Sequence, residues 1–479
     1  MKKLLFKNGQ VVSGNEVFFA DVLVEEGKIK DVIRRKGVEV DGCCGGGNCA
    51  CESDKNEGKS KKIFEKRFFG FGKIPEIDCT GKFIFPGIID VHVHFRDPGQ
   101  TQKEDFSSGS MSAVSGGVTT VFDMPNNIPP TTTVQNLEKK RANVSKKSYA
   151  NFGLYMGFDG KNIDEINMSQ GICGVKTFVA NSTGNMGVNN ASLEELFAKV
   201  DRSKLLVFHA EDEECINQNK EKFLEKYSSG KVKSRGVDPS VHSTIRPKEC
   251  ALQAVKTICE FAKEFKRPIH VCHVSSPEEV SLINEYRAFG VTCEITPHHL
   301  FFSDDDYGHL KNFIKINPPV RSQADVFGLW KALQSGEIDM IATDHAPHTI
   351  KEKKLSYLNA PSGVPGVEVL LPMLLTSVSD KALTLSDVVR LCAEHPAEVF
   401  GICGKGKIAK DFDADIVVVD MEIEKKFTNK YVVSKCGWSP YAGCVFKGLP
   451  VMTFVGGELV FKNGKLVGKP FGKEVKCVR

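Results

Sequence analysis

From Phe83 onward, short apolar runs alternate with amphipathic stretches, a pattern that predicts a parallel sheet joined by crossover helices. The runs are FIFPGIIDVHVHF, GVTTVFDMP, NFGLYMGF, GVKTFV, LLVFHAE, PIHVCHV, VTCEIT and DMIATDHAP. Eight such strands are the number that closes a TIM barrel, so the predicted fold class is α/β, a (β/α)8 barrel. Six of the runs end in, or lead directly into, His, Asp, Asn, Lys or Glu. The C-terminal strand ends form the active face of such a barrel, so polar residues there point to chemistry. Intervening segments such as CALQAVKTICEFAKEF space their apolar residues three and four apart and read as outer helices. A doubly wound open sheet would fit the alternation but calls for a glycine-rich nucleotide loop after the first strand; HVHFRDPG stands there instead.

The two ends of the chain follow a different rhythm. LLFKNGQVV and ADVLVEEGKIKDVI, within residues 3–35, alternate short apolar stretches with turn residues and predict a small antiparallel sheet. GKIAKDFDADIVVVD and FVGGELVFKNGKLVG repeat the idea at the far end. Residues 1–85 and 401–479 are therefore expected to fold together into a small β-sandwich-like domain beside a barrel formed by 86–400. Residues 42–75 interrupt this plan with GCCGGGNCACESDKNEGKSKK. The spacing of Cys43, Cys44, Cys49 and Cys51 matches no usual zinc pattern, and the stretch reads as a flexible surface insertion.

Composition narrows the classes. Hydrophobic residues make up 41% of the 479, enough for a large core, and 64 basic residues stand against 60 acidic ones, so nothing favours nucleic acid. The start, MKKLLFKNGQVV, is interrupted by Asn8, Gly9 and Gln10 before a signal-peptide core can develop. No apolar run approaches the roughly 18 residues of a membrane span. The expectation is a soluble, cytoplasmic protein. The sixteen cysteines are scattered through apolar segments, as at Cys272 and Cys293, so no disulfide framework is expected.

Candidate chemistry gathers at the strand ends. His92 and His94 are one residue apart on the first strand, which on extended backbone points both imidazoles to one side, as two ligands of one metal require. Lys176, His209, His273 and Asp344 stand at the ends of four other strands. A lysine ammonium cannot ligate a cation, and burying it beside metals is prohibitive. Carboxylation would turn it into a carbamate whose two oxygens could bridge two ions.

HVHFRDPG, DMPNN, FHAED, HVSS and TDHAPH together resemble the amidohydrolase superfamily and, within it, the dihydroorotase family of cyclic amide hydrolases, from about residue 78 to the end. The resemblance implies two zinc ions per subunit, bridged by carboxylated Lys176 and hydroxide. His92, His94, Lys176 and Asp344 would hold one, and Lys176, His209 and His273 the other. Asp344 would also move the proton during ring opening. Cys272 and Glu294 resemble positions linked to an additional zinc in animal multifunctional pyrimidine enzymes. Strand alternation, however, turns Cys272 away from the side that His273 faces.

Arg96 lies two positions beyond His94, and its rigid fork suits a substrate carboxylate. The family pattern adds Asn126 and His348 to that set, Asn317 as a substrate contact, and a backbone contact from the segment ending at Ala360. His345, beside Asp344, is expected to touch the substrate or to orient that carboxylate. ANSTGNMGVNN after Lys176 reads as a lid whose Ser182 or Thr183 touches substrate. The expected function is interconversion of dihydroorotate and N-carbamoyl-aspartate, the third step of pyrimidine synthesis. The alternatives are a dihydropyrimidinase, hydantoinase or allantoinase, and an inactive scaffold homologue. The resemblance also implies a small-molecule substrate, a homodimer, and aspartate transcarbamoylase as a candidate associate.

Overall fold

The computed structural model describes residues 2–35, 74–179, 187–228 and 237–479. The cysteine cluster at 43–51 and nearly all of the 42–75 insertion lie outside the described residues, as do Ser182 and Thr183.

The terminal strands form one mixed nine-stranded sheet. From the N-terminal side come β1 (Lys3–Val12), β2 (Val17–Glu25), β3 (Lys28–Arg34), β4 (Glu76–Asp78) and β5 (Phe83–Pro86). β1, β2 and β3 pair antiparallel, as the alternation predicts. From the far end, β14 (Ile416–Lys426) pairs antiparallel with β5, and β15 (Val445–Val455), β16 (Glu458–Lys462) and β17 (Lys465–Leu466) extend the sheet. The sheet closes over its own apolar core of Phe6, Val11, Val22, Val24, Ile84, Ile416, Val418 and Phe454. The Phe6 and Phe454 rings meet edge-on, with centroids 4.9 Å apart.

The second sheet holds eight parallel strands in sequence order: β6 (Ile88–Val93), β7 (Val118–Asp123), β8 (Asn151–Gly157), β9 (Gly174–Phe178), β10 (Leu206–His209), β11 (Ile269–Val271), β12 (Val291–Ile295) and β13 (Met340–Ile341). A bridge between Val93 and His345 brings the chain beyond β13 back to β6, making this the eight-stranded barrel. FIFPGIIDVHVHF therefore supplies two strands, β5 in one sheet and β6 in the other. Gly87 makes the step: a Cβ there would lie 2.0 Å from Thr119 Oγ1, and its N–H donates to the Asp415 carbonyl across to β14. Helices pack outside the barrel. Lys248–Glu264 buries Cys250, Ala251, Ala254, Val255, Ile258, Cys259 and Ala262, the three-and-four spacing read from sequence.

The cysteine expectation needs one correction. Cys215 and Cys250 form a disulfide, joining the helix that follows β10 to the start of Lys248–Glu264. The two residues are 35 apart in sequence, and only the packing of those helices brings them together. Among the described residues, no helix is long and apolar enough to cross a membrane.

Candidate active site

All the predicted metal ligands converge at the C-terminal mouth of the barrel. β6 carries His92, and His94 follows directly; both are buried. His92 donates from Nδ1 to Glu294 Oε1 at 2.5 Å, and His94 from Nδ1 to Asn126 Oδ1 at 2.7 Å. Glu294 is held in turn by His270 Nε2 at 3.1 Å. Such partners fix tautomer and ring orientation, leaving each Nε2 bare. Both bare nitrogens face one oxygen: Asp344 Oδ1 lies 3.3 Å from His92 Nε2 and 3.0 Å from His94 Nε2.

Asp344 reaches this position through the residue before it. Thr343 donates its N–H at 3.0 Å and its hydroxyl at 2.5 Å to Asp90, a buried acid on β6 that burial pushes up to about 7. Backbone at Arg96 (φ 60°), His273 (φ 36°) and Asp344 (φ 44°) is left-handed. Non-glycine residues take that conformation at a cost, and it collects at functional sites.

His209 and His273 stand side by side, Nδ1 to Nε2 at 2.9 Å. His209 Nε2 lies 3.2 Å from Glu211 Oε2, and Arg246 clasps that same carboxylate. His273 Nδ1 is buried without a hydrogen-bond partner among the described residues. Lys176, on β9, is fully buried and donates to Cys272 Sγ at 2.8 Å.

This is a donor set for cations. Ligand atoms of His92, His273 and Asp344 lie within 4.8 Å of one another. Two imidazole nitrogens and a carboxylate oxygen aimed at one point repel unless a proton or a metal cation lies among them. The electrostatics agree. Burial opposes protonation of His92, yet Glu294 and Asp344 push it up to about 10. Burial likewise opposes ionisation of Asp344, but His92, His94 and His273 hold its carboxyl well below the usual range. A divalent cation satisfies the same demand with better geometry.

Cys272 contradicts the alternation argument. Its thiol faces inward, and His92, Cys272 and Glu294 form a second group of potential ligands within 4.8 Å. β11 ends at Val271, and the left-handed backbone at His273 breaks the two-residue period, so neighbours 272 and 273 both reach the interior.

A cavity opens above the cluster, lined by His92, His94, Arg96, Asn126, Phe178, His209, His273, Asn317, Asp344, Ala346, Ser362 and Gly363. Arg96 is buried in this wall; its Nη2 lies 3.2 Å from His348 Nε2, and its Nε donates to the Pro347 carbonyl at 3.3 Å. Burial lowers its pKa only to about 10, so it stays cationic at neutral pH. His348 is held well below its ordinary value by burial and by Arg96, Lys353 and Lys103, and is neutral.

Three predicted contacts are placed elsewhere. His348 is buried behind Arg96, its Nδ1 accepting from Lys103 Nζ at 3.1 Å and its Nε2 donating to the Ser362 carbonyl at 2.9 Å. His345 turns its ring out of the cavity: Nδ1 accepts from the Gly366 and Val367 amides, and its carbonyl accepts from His94 N–H, so it closes the barrel seam. The Ala360 carbonyl is taken by Lys315 Nζ at 2.6 Å, and Ser362 and Gly363 line the cavity instead. Gly363 fits because its φ is 130° and a Cβ would lie 2.5 Å from the Ala346 carbonyl oxygen. Sequence reasoning also missed Phe178 and the supports Asp90, Glu211 and His270. The E in FHAED and the D in IIDVHVHF, each two residues from a ligand histidine, were the available signals.

Comparisons with known proteins bear on the family and the fold. The amidohydrolase family pattern matches residues 83–465. The dihydroorotase of Methanosarcina acetivorans is 34% identical over 486 aligned residues, 98% of this chain and 94% of that protein. The dihydroorotase of Halobacterium salinarum is 38% identical over 403, covering 84% and 91%. Among solved structures, the L-hydantoinase (dihydropyrimidinase) of Arthrobacter aurescens superposes with a TM-score of 0.87 at 29% identity, covering 99% of this chain and 100% of that one. With barrel, ligand cluster and alignments in agreement, the chain belongs to the amidohydrolase family and groups by sequence with its dihydroorotases.

Proposed function

We propose that the protein is a dihydroorotase, which opens (S)-dihydroorotate reversibly to N-carbamoyl-L-aspartate in pyrimidine synthesis. The observation that carries this reading is Arg96, a buried cation in the cavity wall that donates to the Pro347 carbonyl and forms no ion pair among the described residues. A guanidinium so placed favours a carboxylate, which its planar fork binds through two hydrogen bonds. Dihydroorotate carries a carboxylate; hydantoin and dihydrouracil do not.

His92, His94 and Asp344 would hold one zinc ion and His209 and His273 the other, with Lys176 as a carbamate shared between them. When bound, these ions polarise the amide carbonyl and lower the pKa of water toward neutrality. Asp344 accepts the proton of the attacking water on its carboxylate and returns it to the departing ring nitrogen; in ring closure it runs the same transfer backwards. Arg96 and Asn126 orient the substrate carboxylate, with His348 packed behind Arg96, and Asn317 orients the ring. Burial of the whole set excludes bulk water and strengthens each interaction. The same reading makes the protein a cytoplasmic homodimer, with aspartate transcarbamoylase as a candidate associate.

The test is ring opening by the zinc-loaded protein, with dihydroorotate, dihydrouracil, hydantoin and allantoin assayed in parallel. Turnover of dihydroorotate in strong preference to the three uncharged rings is expected. Preference for an uncharged ring would replace the substrate while keeping the chemistry, and no turnover with metal bound would favour a scaffold.

A further inference from the structure

Ser362 and Gly363 form one wall of the cavity, and two buried lysines outside that lining hold their segment in place. Lys353 ends the short helix Ile350–Lys353, which follows the last barrel strand. Its ammonium donates to three carbonyls: Gly363 at 2.9 Å, Pro361 at 3.0 Å and Lys315 at 3.2 Å. The Lys315 carbonyl also accepts from the Gly363 N–H at 2.9 Å. Lys315 in turn donates to the Tyr357 and Ala360 carbonyls at 2.7 and 2.6 Å. With the Ser362 carbonyl taken by His348, four consecutive carbonyls from Ala360 to Gly363 are gripped by side chains. Three carbonyls call for three hydrogens, so Lys353 stands as an ammonium; a neutral amine would turn its lone pair on one of them. It forms no ion pair among the described residues, and the Trp438 ring centroid lies 5.9 Å from it. Burial, with Lys315 and Arg96, pulls its pKa well below the ordinary value. An unpaired buried ammonium is costly, and backbone amides or apolar packing would hold a loop for less. What the lysine adds is one point to which two separate segments, at 315 and 361–363, are pinned beside the cavity.

We propose that Lys353 is a positioning residue for substrate recognition: by pinning the Pro361 and Gly363 carbonyls to that of Lys315, it fixes the Ser362–Gly363 wall against which the bound ring packs. This rests on the cavity being the cyclic-amide site. Lys353 does not line the cavity, so it acts on affinity through the wall and leaves the chemical step at Asp344 alone. Without the ammonium, the Pro361 and Gly363 carbonyls lose their donor, and the wall no longer has one set position.

The test joins ring-opening kinetics to amide hydrogen exchange on the full-length, metal-loaded protein, with bound metal and thermal unfolding recorded for each variant. Lys353→Met keeps the side-chain length and removes every N–H. KM should rise about tenfold with kcat within about twofold, the effect of lost hydrogen bonds that act on binding alone. Exchange in segment 360–364 should quicken by about tenfold or more while the barrel strands keep their rates, because only the wall is loosened. Lys353→Gln retains two N–H groups and should raise KM by only about threefold. Lys353→Ala leaves a space for propylammonium, which should lower the KM of that variant and not that of Lys353→Met, whose side chain fills the site. Faster exchange in 360–364 with an unchanged KM would make the clamp a device of the fold. A raised KM with unchanged exchange there would mean that Lys353 acts by another route. Either result overturns the proposal, and Lys353→Gln carries both readouts if the other two variants do not fold. KM is read on whichever ring the unmodified protein opens, so loss of the dihydroorotate reading leaves the clamp measurable.

Discussion

In the terminal sheet, β1, β2, β5 and β14 turn Phe6, Val11, Val22, Val24, Ile84, Ile416 and Val418 into one apolar core, with β1–β2 and β5–β14 paired antiparallel and β1–β5 parallel. At the barrel mouth, strands of two to six residues end in imidazoles and carboxylates packed against one another, three of the mouth residues sit at positive φ, and His273 Nδ1 is buried without a hydrogen-bond partner among the described residues. Among the described strand residues of the sheet, the Thr453 hydroxyl is the one buried side-chain polar group without a hydrogen-bond partner. The mouth leaves unmet a demand for positive charge, which is what a site completed by a ligand looks like. Stability and activity should therefore separate between the two regions, and mutations can break or sharpen that separation.

The largest effect is expected at the mouth. Asp344→Asn would remove the proton carrier and a charged ligand at once, and kcat should fall by about 10³–10⁴ or more while the unfolding temperature drops no further than chelation lowers it in the unmodified protein. A kcat loss below tenfold would remove Asp344 from the chemistry. Chelation should likewise abolish ring opening, with recovery on adding zinc back. It should also lower the unfolding temperature, because ions that bind only the folded state stabilise it by mass action.

In the sheet the effect should reverse. Phe6→Ala empties a fully buried site against Phe454 and should cost about 3–5 kcal/mol in denaturant unfolding, with kcat of the folded protein unchanged. An equal loss of kcat would show that the two regions are coupled.

The smallest effect concerns pH and lies between the regions. Burial pushes Glu368 up to about 8 from an ordinary 4.5, with the Val433 N–H opposing the shift and Glu104 adding to it. The folded protein therefore holds this proton more tightly than the unfolded chain, and stability contributed here falls as pH rises from about 4.5 toward 8. Glu368→Gln keeps an oxygen for the Val433 N–H and should flatten that decline, a gain on the order of 1–2 kcal/mol at pH 8. Parallel stability–pH curves for the two proteins would remove Glu368 as the cause.

What could be read from sequence follows the same division. Regular alternation carries the terminal strands and the eight barrel strands, and one-residue spacing puts His92 and His94 together, because both depend only on local period. Local period fails where backbone leaves the regular regions. Cys272 faces inward because His273 is left-handed, and FIFPGIIDVHVHF divides because Gly87 lets two sheets approach. His345 and Ala360 are adjacent in sequence to groups that matter, but their bonding goes to Gly366, Val367 and Lys315, partners no spacing rule names. The Cys215–Cys250 bond depends wholly on which elements meet.

Carboxylate recognition by Arg96 is the central claim, and the ratio of kcat/KM for dihydroorotate to that for dihydrouracil, before and after Arg96→Ala, tests it most directly. The account predicts that the substitution lowers kcat/KM for dihydroorotate by about 10²–10³ while changing dihydrouracil little and leaving bound zinc intact, which collapses the ratio. An unchanged ratio would mean that the buried guanidinium serves the fold and that the substrate is chosen elsewhere.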